Sequence, residues 1–473
     1  MENKRGIFIS TVSQVMVRLI TLVIALVSIK LLTNYLGTEG TGYYNTITTY
    51  VNFAIIIADL GLFSAAVREI SKAPEKERHI LSNVFTIRVY TALVAAVVAG
   101  SLVYLTDYSP QIKLGAAIAA GYIFFNLVAS TFDIVLQYRL KMQFSAFAEF
   151  LSKVVTVIAL YIVVRLNGGF LWTISTVTLS GLVILTLKWL FSRRILPFGP
   201  KYDRDLSSWI LRTSLPLGIV FIVNNLYFKI DTLLLFAIKG AAAVGIYSVA
   251  YKVLEVTIFI GSYFGSSLKP LLSKYIDSEP DQVAKIVDRA LQLMLFAGLP
   301  ISVLSAVFAH GIILFLSNAS FISGAGALVM LSFTLPIIYC DVLFGEVLIA
   351  KDARKLLIRI SIFIVLFNVA LNLFFIPRYS FYGAAFTTLF SEFVLMVINI
   401  YYVHRLIPLK LDLLALARIG FAAVLTLSFG MLVRNLPVHF LLSMALTGVF
   451  YLATCYALNV FRPQEIRAIL KSP

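Results

Sequence analysis

Three basic side chains lie deep inside long apolar stretches of this chain, where a charge is costly: Arg18, Arg88 and Lys229. A charge at the centre of a bilayer costs roughly 2.5–3.5 kcal/mol on insertion scales, so it is retained with a partner, a wet cavity or a function. Arg18 lies about ten residues into its stretch, or ~15 Å along a helix. Because Arg binds phosphate oxygens in pairs and Lys acts as a point charge, these residues would suit a diphosphate.

The surroundings of two of these cations differ. Lys229 stands in the polar stretch NNLYFKID, which also holds Asn224, Asn225 and Asp231. So many polar groups deep in one helix favour the wall of a water-filled cavity over contact with lipid. Arg88 lies nearer to one end of its stretch, so snorkelling to the interface is an alternative to a role in a cavity.

Other charged side chains inside the apolar stretches can neutralise one another. Lys153 and Lys252 are further candidate ligands, but Glu149 and Glu255 each lie one helical turn away from them. Seven acids are candidates either for coupling to H+ or Na+ or for ion pairs with the cations: Asp59, Asp133, Asp231, Glu255, Asp341, Glu346 and Glu392. Pairing with a cation is the favoured interpretation for Asp59 and Asp231.

The composition identifies the medium that these residues occupy. Of 473 residues, 60% are hydrophobic and 13% are charged, and the mean hydropathy is +0.94. Soluble domains carry about 25% charged residues, so this chain is a polytopic α-helical membrane protein. Cys340 and Cys455 lie inside apolar segments, and the four histidines fall in separate loops. Neither a disulfide, nor a metal site, nor a cofactor is therefore expected.

Turn signals divide the chain into fourteen predicted membrane helices. Clusters of Gly, Pro and polar residues, such as KAPEKERH at 72–79 and LPFGPKYDRD at 196–205, mark the breaks. The helices are expected near 8–35, 42–69, 81–106, 111–137, 143–164, 170–192, 209–237, 242–269, 283–309, 325–350, 355–376, 381–404, 412–434 and 438–461.

Basic residues concentrate at alternate connections between these helices. One set includes Lys4, Arg5, Lys188 and the basic tail, whereas the other set is poor in Lys and Arg. The other set holds Lys113, Arg165, Lys239, Arg378 and Arg434. The bias places both termini in the cytoplasm and accounts for much of the net charge of +16 without nucleic acid. The two sides are called the predicted cytoplasmic and the predicted external side below.

A short motif recurs 203 residues further along the chain. YLGTEGTGYYN at 35–45 aligns with IKGAAAVGIYS at 238–248, so that two glycines and a tyrosine match in each copy. Six predicted helices separate the copies, and an even number keeps their orientation in the membrane. The sequence therefore predicts a parallel repeat related by an axis along the membrane normal.

Several segments resemble those of polysaccharide-type exporters in the MOP superfamily. They are DLGLFSAAVREIS at 59–71, KIDTLLL at 229–235, VGIYSVAYKVLE at 244–255 and NLFFIPRYSFYGAAFTTLFSE at 372–392. The resemblance implies two six-helix lobes in a V, with a cavity that opens to each side in turn, plus two C-terminal helices. The implied domains are 1–194 (N-lobe), 195–208 (linker), 209–404 (C-lobe) and 405–473 (helices 13 and 14 with a cytoplasmic tail).

The resemblance also implies a function, that of a Wzx-type flippase in the bacterial inner membrane. Such a protein moves an undecaprenyl-diphosphate-linked oligosaccharide to the outer leaflet by alternating access. Its expected partners are this glycolipid, membrane lipids and polysaccharide polymerase or assembly proteins, and a monomer is expected. The cationic cavity would comprise Arg18, Arg88, Lys153, Lys229 and Lys252 with Asn224 and Asn225.

Three alternatives stay open. A lipid II flippase would also have a cationic cavity and fourteen helices, whereas a MATE-type antiporter of cations would favour an acidic or aromatic one. A membrane polymerase or ligase belongs to a different class, and it usually needs a large external loop, which this chain does not have. The coupling ion, if there is one, is H+ or Na+. The chain is therefore expected to be a transporter and not an enzyme.

Overall fold

The computed structural model describes the backbone of residues 2–460 and the side chains of 21, 23–215, 218, 222, 227 and 229–460. Arg18, Asn224 and Asn225 therefore lie outside the described side chains. Within the described backbone, fourteen α-helices follow one another: α1 Glu2–Asp59, α2 Leu62–Lys72, α3 Glu77–Leu102, α4 Pro110–Tyr138, α5 Met142–Arg165, α6 Gly169–Arg193, α7 Arg204–Lys239, α8 Ala241–Tyr275, α9 Pro280–Val307, α10 Ala309–Leu316, α11 Gly324–Ala350, α12 Arg354–Leu406, α13 Leu413–Val433 and α14 Phe440–Ala457.

Eleven helical segments among the described residues are long and apolar enough to cross a membrane. Two of them hold two passes each, because α1 spans 58 residues and α12 spans 53. The helical backbone is interrupted in α1 at Gly37 and in α12 at Ser380. With α7, whose side chains are described only in part, this gives the fourteen predicted passes. The interruptions are narrower than the gaps predicted between helices at 36–41 and 377–380, because helix resumes within one residue.

The two copies of the repeated motif share an unusual backbone conformation. Gly37 has φ 65° and ψ −169°, and Gly240, which is 203 residues later, has φ 80° and ψ −176°. Only glycine adopts a positive φ with an extended ψ without steric cost, so both turns depend on this residue type. The two turns that match in sequence thus also share a backbone conformation at their first glycine.

The second glycine of each copy lies against the other copy. A methyl group on Gly42 would meet the carbonyl oxygen of Ala241 and lie 2.9 Å from its Cα. A methyl group on Gly245 would meet the carbonyl oxygen of Thr38 and lie 2.9 Å from its carbonyl carbon. Since Thr38 and Ala241 are also 203 residues apart, the two contacts exchange with each other under the repeat, as contacts across a two-fold axis do.

The chain forms two compact units, Met1–Gly245 and Ile246–Pro473. In the first unit, α4 packs on α3 and α6, and small residues such as Ala116, Ala119 and Ala120 allow a close approach. α7 packs on α1, α2 and α3 in the same unit. These units are defined by contacts between residues, whereas the lobes at 1–194 and 209–404 are implied by the family resemblance, so the lobe boundaries stay a prediction.

In the second unit, α11 packs on α9 and α12, and the last two helices cover α9. The buried Tyr451 of α14 donates its hydroxyl to the carbonyl oxygen of Phe296 in α9 at 3.0 Å. Ile419 and Ala422 of α13 complete this apolar cluster. Helices 13 and 14 are therefore integral to the packing of this unit.

The predicted linker at 195–208 is attached to α3. The buried Asn83 accepts the backbone N–H of Asp203 at 2.6 Å, and Thr86 donates to the carbonyl oxygen of Lys201 at 2.9 Å. The Asp203 carboxylate caps α7 by accepting the N–H of Leu206, and it also contacts the His79 ring at 3.2 Å. The linker is thereby fixed at both α3 and α7.

Candidate functional site

The most deeply buried cation among the described residues is Arg88 of α3, whose side chain is 0% exposed. Its Nη1 donates to a carboxylate oxygen of Asp59 at 2.6 Å. This contact confirms the pairing favoured for Asp59. It also excludes snorkelling, because the guanidinium is buried in protein. Arg88 is therefore a paired cation, and its role in a cavity stays a prediction.

The Arg88–Asp59 pair lies at a break in the second membrane pass. α1 ends at Asp59 and α2 begins at Leu62, and both residues between them have positive φ, 51° at Leu60 and 72° at Gly61. A positive φ is strained for Leu, and such strain persists only where the surrounding structure enforces it. Transporter sites are typically built where a membrane helix is discontinuous.

α7 supplies the packing that holds this break. A methyl group on Gly61 would lie 2.6 Å from the backbone nitrogen of Gly218 and from the carbonyl oxygen of Ser214. A methyl group on Gly218 would in turn lie 2.6 Å from the carbonyl carbon of Leu60. Backbone therefore touches backbone at this point, and both glycines are required by the close approach.

Part of the Arg88 guanidinium is not hydrogen-bonded. Its Nε and Nη2 are buried and have no hydrogen-bond partner among the described residues. Buried donors without an acceptor are unfavourable by about 1–3 kcal/mol, and more when the group is charged. The remaining N–H groups match the oxygens of a phosphate, which guanidinium binds with two parallel hydrogen bonds. Both nitrogens are buried in this conformation, so an anion would reach them only after the surrounding helices move apart, while Asp59 keeps the guanidinium in place.

The candidates on α7 are described only in part. Asp231 is buried, and its carboxylate accepts the backbone N–H of Thr232 at 2.7 Å. Lys229 is half-buried, and both residues make further interactions within the structure. The pairing favoured for Asp231 and the cavity role of Lys229 stay predictions.

Lys188 was assigned to a cytoplasmic connection, and this assignment is wrong. The side chain is buried within the first unit and contacts Asp133 at 2.6 Å and Glu149 at 3.3 Å. Ser145 donates to the second carboxylate oxygen of Asp133 at 2.7 Å. Asp133 is therefore an ion-pair partner. The exposed Lys153 makes further interactions within the structure, and its pairing with Glu149 stays a prediction.

The remaining candidates lie in the second unit. Lys252 pairs with Glu255 at 2.7 Å, as the spacing predicted, and the pair is half-exposed. Glu346 pairs with Lys269 at 3.3 Å. These pairs neutralise their own members.

Asp341 has different surroundings in the same unit. It is buried, and one of its oxygens accepts the amide of Asn399 at 3.2 Å. Its other oxygen is buried without a donor among the described residues, and its carboxyl group lies against that of Glu392. A chain of buried polar groups, in which Asn372 donates to Asn368 and Asn368 to Ser391, joins α12 on either side of Ser380.

Similarity to solved structures defines the class of protein. The structure of the lipid II flippase MurJ in an inward closed conformation has a TM-score of 0.81, with 14% identity, and covers 96% of this chain and 99% of that one. An inward-facing multidrug resistance MATE family transporter of the MOP superfamily has a TM-score of 0.66, with 13% identity over 84% of this chain and 98% of that one. The predicted fold class is confirmed: this is an all-α, multi-pass membrane protein with the fold of the MOP superfamily.

The sequence comparisons identify the family. The family model described as polysaccharide biosynthesis protein matches residues 4–276, more than half of the chain, and the model described as MatE matches residues 216–374. The chain therefore belongs to the polysaccharide biosynthesis protein family.

Three curated relatives are distant from this chain. An uncharacterized membrane protein of Methanocaldococcus jannaschii is 20% identical over 89% of this chain and 88% of its own length. The capsular polysaccharide biosynthesis protein CapF of Staphylococcus aureus is 24% identical, and the probable flippase AglR of Haloferax volcanii is 27% identical. The match covers 43% of this chain and 52% of CapF, and 35% of this chain and 35% of AglR.

Proposed function

We propose that this protein is a flippase that carries a polyprenyl-diphosphate-linked oligosaccharide, undecaprenyl-linked in a bacterium, from the cytoplasmic to the outer leaflet of the inner membrane. The single observation that carries the proposal is the buried Arg88 guanidinium, in which two nitrogens, Nε and Nη2, have no hydrogen-bond acceptor among the described residues beside a helix break. A diphosphate supplies the acceptors that these donors lack. The family, the name of AglR and the likeness to MurJ support the same substrate class.

Alternating access gives this site its role in the proposed mechanism. Arg88, together with Arg18, Lys229 and the neighbouring asparagines, would bind the diphosphate from the predicted cytoplasmic side, while the lipid tail stays in the bilayer. Transport requires no bond to form or break, so no catalytic residue is assigned. Both termini are placed in the cytoplasm on the charge count alone.

We further propose Asp341 as the residue that carries a coupling ion, H+ or Na+. Asp133, Glu149, Glu255 and Glu346 each contact a lysine. Asp341 instead accepts the amide of Asn399 and lies against the carboxyl group of Glu392. A buried carboxyl group that has no described lysine or arginine beside it is suited to bind and release H+ or Na+.

The test replaces Arg88 with lysine. Arg88→Lys keeps a positive charge beside Asp59 but removes the second edge of the guanidinium, so the protein should fold while phosphate binding is lost. Losing hydrogen bonds to a charged ligand worth ~1.5–3 kcal/mol corresponds to about 10- to 150-fold in affinity. In cells that depend on this protein, lipid-linked repeat units should then accumulate on the cytoplasmic leaflet.

The matched control is Arg165→Lys, because Arg165 is exposed and stacks on Tyr161 at the predicted external side. Normal flipping by Arg88→Lys at wild-type protein levels would refute the proposal. Unpolymerised units on the outer leaflet of a deletion strain would instead indicate a polymerase.

A lipid II flippase is the second candidate, favoured by the match to nearly the whole length of MurJ. Complementation separates the two functions. Growth of cells depleted of their lipid II flippase, without rescue of a strain lacking its polysaccharide flippase, would select the second candidate. A MATE-type exporter of cations is disfavoured because the two nitrogens of Arg88 without partners are hydrogen-bond donors, which a cation does not satisfy.

A further inference from the structure

A cavity of about 620 Å³ opens at the predicted external end of the first unit. Its wall is built from the turn around Gly37, the first turn of α4 and the first turn of α6. Its polar and aromatic lining comprises Tyr35, Glu39, Tyr43, Ser109, Gln111 and Phe170. The volume falls within the ~300–1,000 Å³ typical of small-molecule sites. The cavity is separate from Arg88 and from every other charged pair described above.

The aromatic side chains of this wall are held in place. The Tyr35 hydroxyl accepts the backbone N–H of Gly169 at 2.7 Å, which leaves its own proton for another acceptor. The rings of Tyr43 and Phe170 meet edge to face with centroids 6.4 Å apart. Two apolar ring surfaces and a hydroxyl donor thus face one space in a fixed arrangement.

The polar groups of the wall determine which ligand fits. Gln111 offers both a donor and an acceptor, and the exposed Glu39 offers acceptors next to the Tyr43 hydroxyl. Glu39 is the only charged residue among the described residues that line the cavity, and it would repel a phosphate. Donors and acceptors beside aromatic surfaces, with a single negative charge, suit an uncharged molecule rich in hydroxyl groups.

We propose that this cavity binds the uncharged sugar rings of the transported glycan on the predicted external side, an inference that rests on the proposed function. The diphosphate and the glycan would then be recognised at two different places. Arg88 at the helix break would bind the anionic head, and the Tyr35–Gln111 cavity would bind the neutral sugars.

The experiment measures the binding of soluble sugars to the full-length protein in nanodiscs. The probes are triacetylchitotriose and maltotriose, with inorganic pyrophosphate as the anionic comparison, and the readouts are saturation-transfer NMR and calorimetry. At least one trisaccharide should bind the wild type. Gln111→Ala and Tyr35→Phe should each weaken that binding about fivefold, as expected for the loss of one hydrogen bond between neutral groups.

Two matched controls test whether the effect is local. Gln137→Ala changes the other end of α4, and Tyr104→Phe changes an exposed tyrosine outside the cavity, so both should bind as the wild type does. The inference is wrong if neither trisaccharide binds, or if Gln111→Ala and Tyr35→Phe bind as tightly as their controls. Glu39→Gln tests whether the negative charge of Glu39 alone excludes anions from the cavity. This variant should still bind pyrophosphate no more tightly than it binds the sugars.

Flipping in cells is measured separately with the same variants. If the wild type flips its glycolipid normally but binds no trisaccharide, the proposed sugar site is refuted and the proposed function is not. Trisaccharide binding that depends on Gln111, in a protein whose loss changes no lipid-linked intermediate, would instead remove the proposed function.

Discussion

Gly42→Ala should separate the two copies of the repeated turn. The new methyl group would lie 2.9 Å from the Cα of Ala241 and press against its carbonyl oxygen. Carbon atoms in contact stay ~3.5–4.0 Å apart, so the backbones must move apart by at least about 0.6–1.1 Å. The atoms of Ala241 that the methyl group meets are all backbone atoms, so no side chain can rotate to relieve the clash. Overpacking of this kind typically costs about 1–3 kcal/mol.

We propose that this contact, which lies within the first unit, breaks when the predicted external side opens during alternating access. The alanine would destabilise the closed contact and not the open state, and ~1–3 kcal/mol shifts such an equilibrium by about 5- to 150-fold. The assay places a cysteine at Thr41, which is buried beside the contact, in a chain without Cys340 and Cys455. Its labelling by a membrane-impermeant maleimide should be slow in the parent and faster with Gly42→Ala.

Gly345→Ala and Gly420→Ala are the matched controls, because a methyl group at either position meets no atom within 4 Å. Each adds only helix propensity, up to ~1 kcal/mol in favour of the helix. If Gly42→Ala labels Thr41→Cys at the same rate as these controls and has the same Tm, the reciprocal contact does not govern opening. Gly245→Ala must behave like Gly42→Ala, since its methyl group meets Thr38 in the same manner.

Two further predictions concern the buried and the capping charges. Lys188→Met should lower the free energy of unfolding by ~3–5 kcal/mol, because Asp133 loses its cation inside the protein. The double variant Lys188→Met with Asp133→Leu should recover most of that loss. Equal Tm values for the single and double variants would show that the ion pair does not stabilise the fold. The N–H of Leu206 and the His79 ring hold the pKa of Asp203 below its ordinary value of about 3.9, so the cap stabilises above that value and is lost as the pH falls through the folded pKa. Unfolding followed from pH 7 to pH 3 should therefore show a smaller loss of stability in Asp203→Asn than in the wild type.

The membrane passes and the repeat could be predicted because each is marked by a pattern of residues close together in the sequence. Hydropathy marks each helix, and the spacing of Gly37 and Gly42 recurs at Gly240 and Gly245. Lys188 was misplaced because Arg193 and Arg194 follow it closely, whereas its partners Asp133 and Glu149 are 55 and 39 residues away. A position well inside the apolar run LVILTLKWLF was the available signal.

The helix break and the sugar cavity depend on tertiary contacts. The sequence DLGLF contains a single glycine, and nothing local requires Leu60 to adopt a positive φ. The requirement comes from Gly218, more than 150 residues later, whose backbone occupies the space beside Gly61. Likewise, Tyr35, Gln111 and Phe170 come from three separate helices, so no spacing along the chain brings them together. The Arg88–Asp59 pair could be named only as one option among several for the same reason.

The reciprocal glycines have a consequence for how the two halves of the chain can vary. The residue that needs Gly42 is Ala241, and the residue that needs Gly245 is Thr38, so neither half contains the reason for its own glycine. Two identical six-helix chains around a two-fold axis would satisfy both contacts with one glycine codon. In a single chain the same geometry requires two separate glycines, Gly42 and Gly245. A substitution at either glycine displaces a residue of the other copy of the motif.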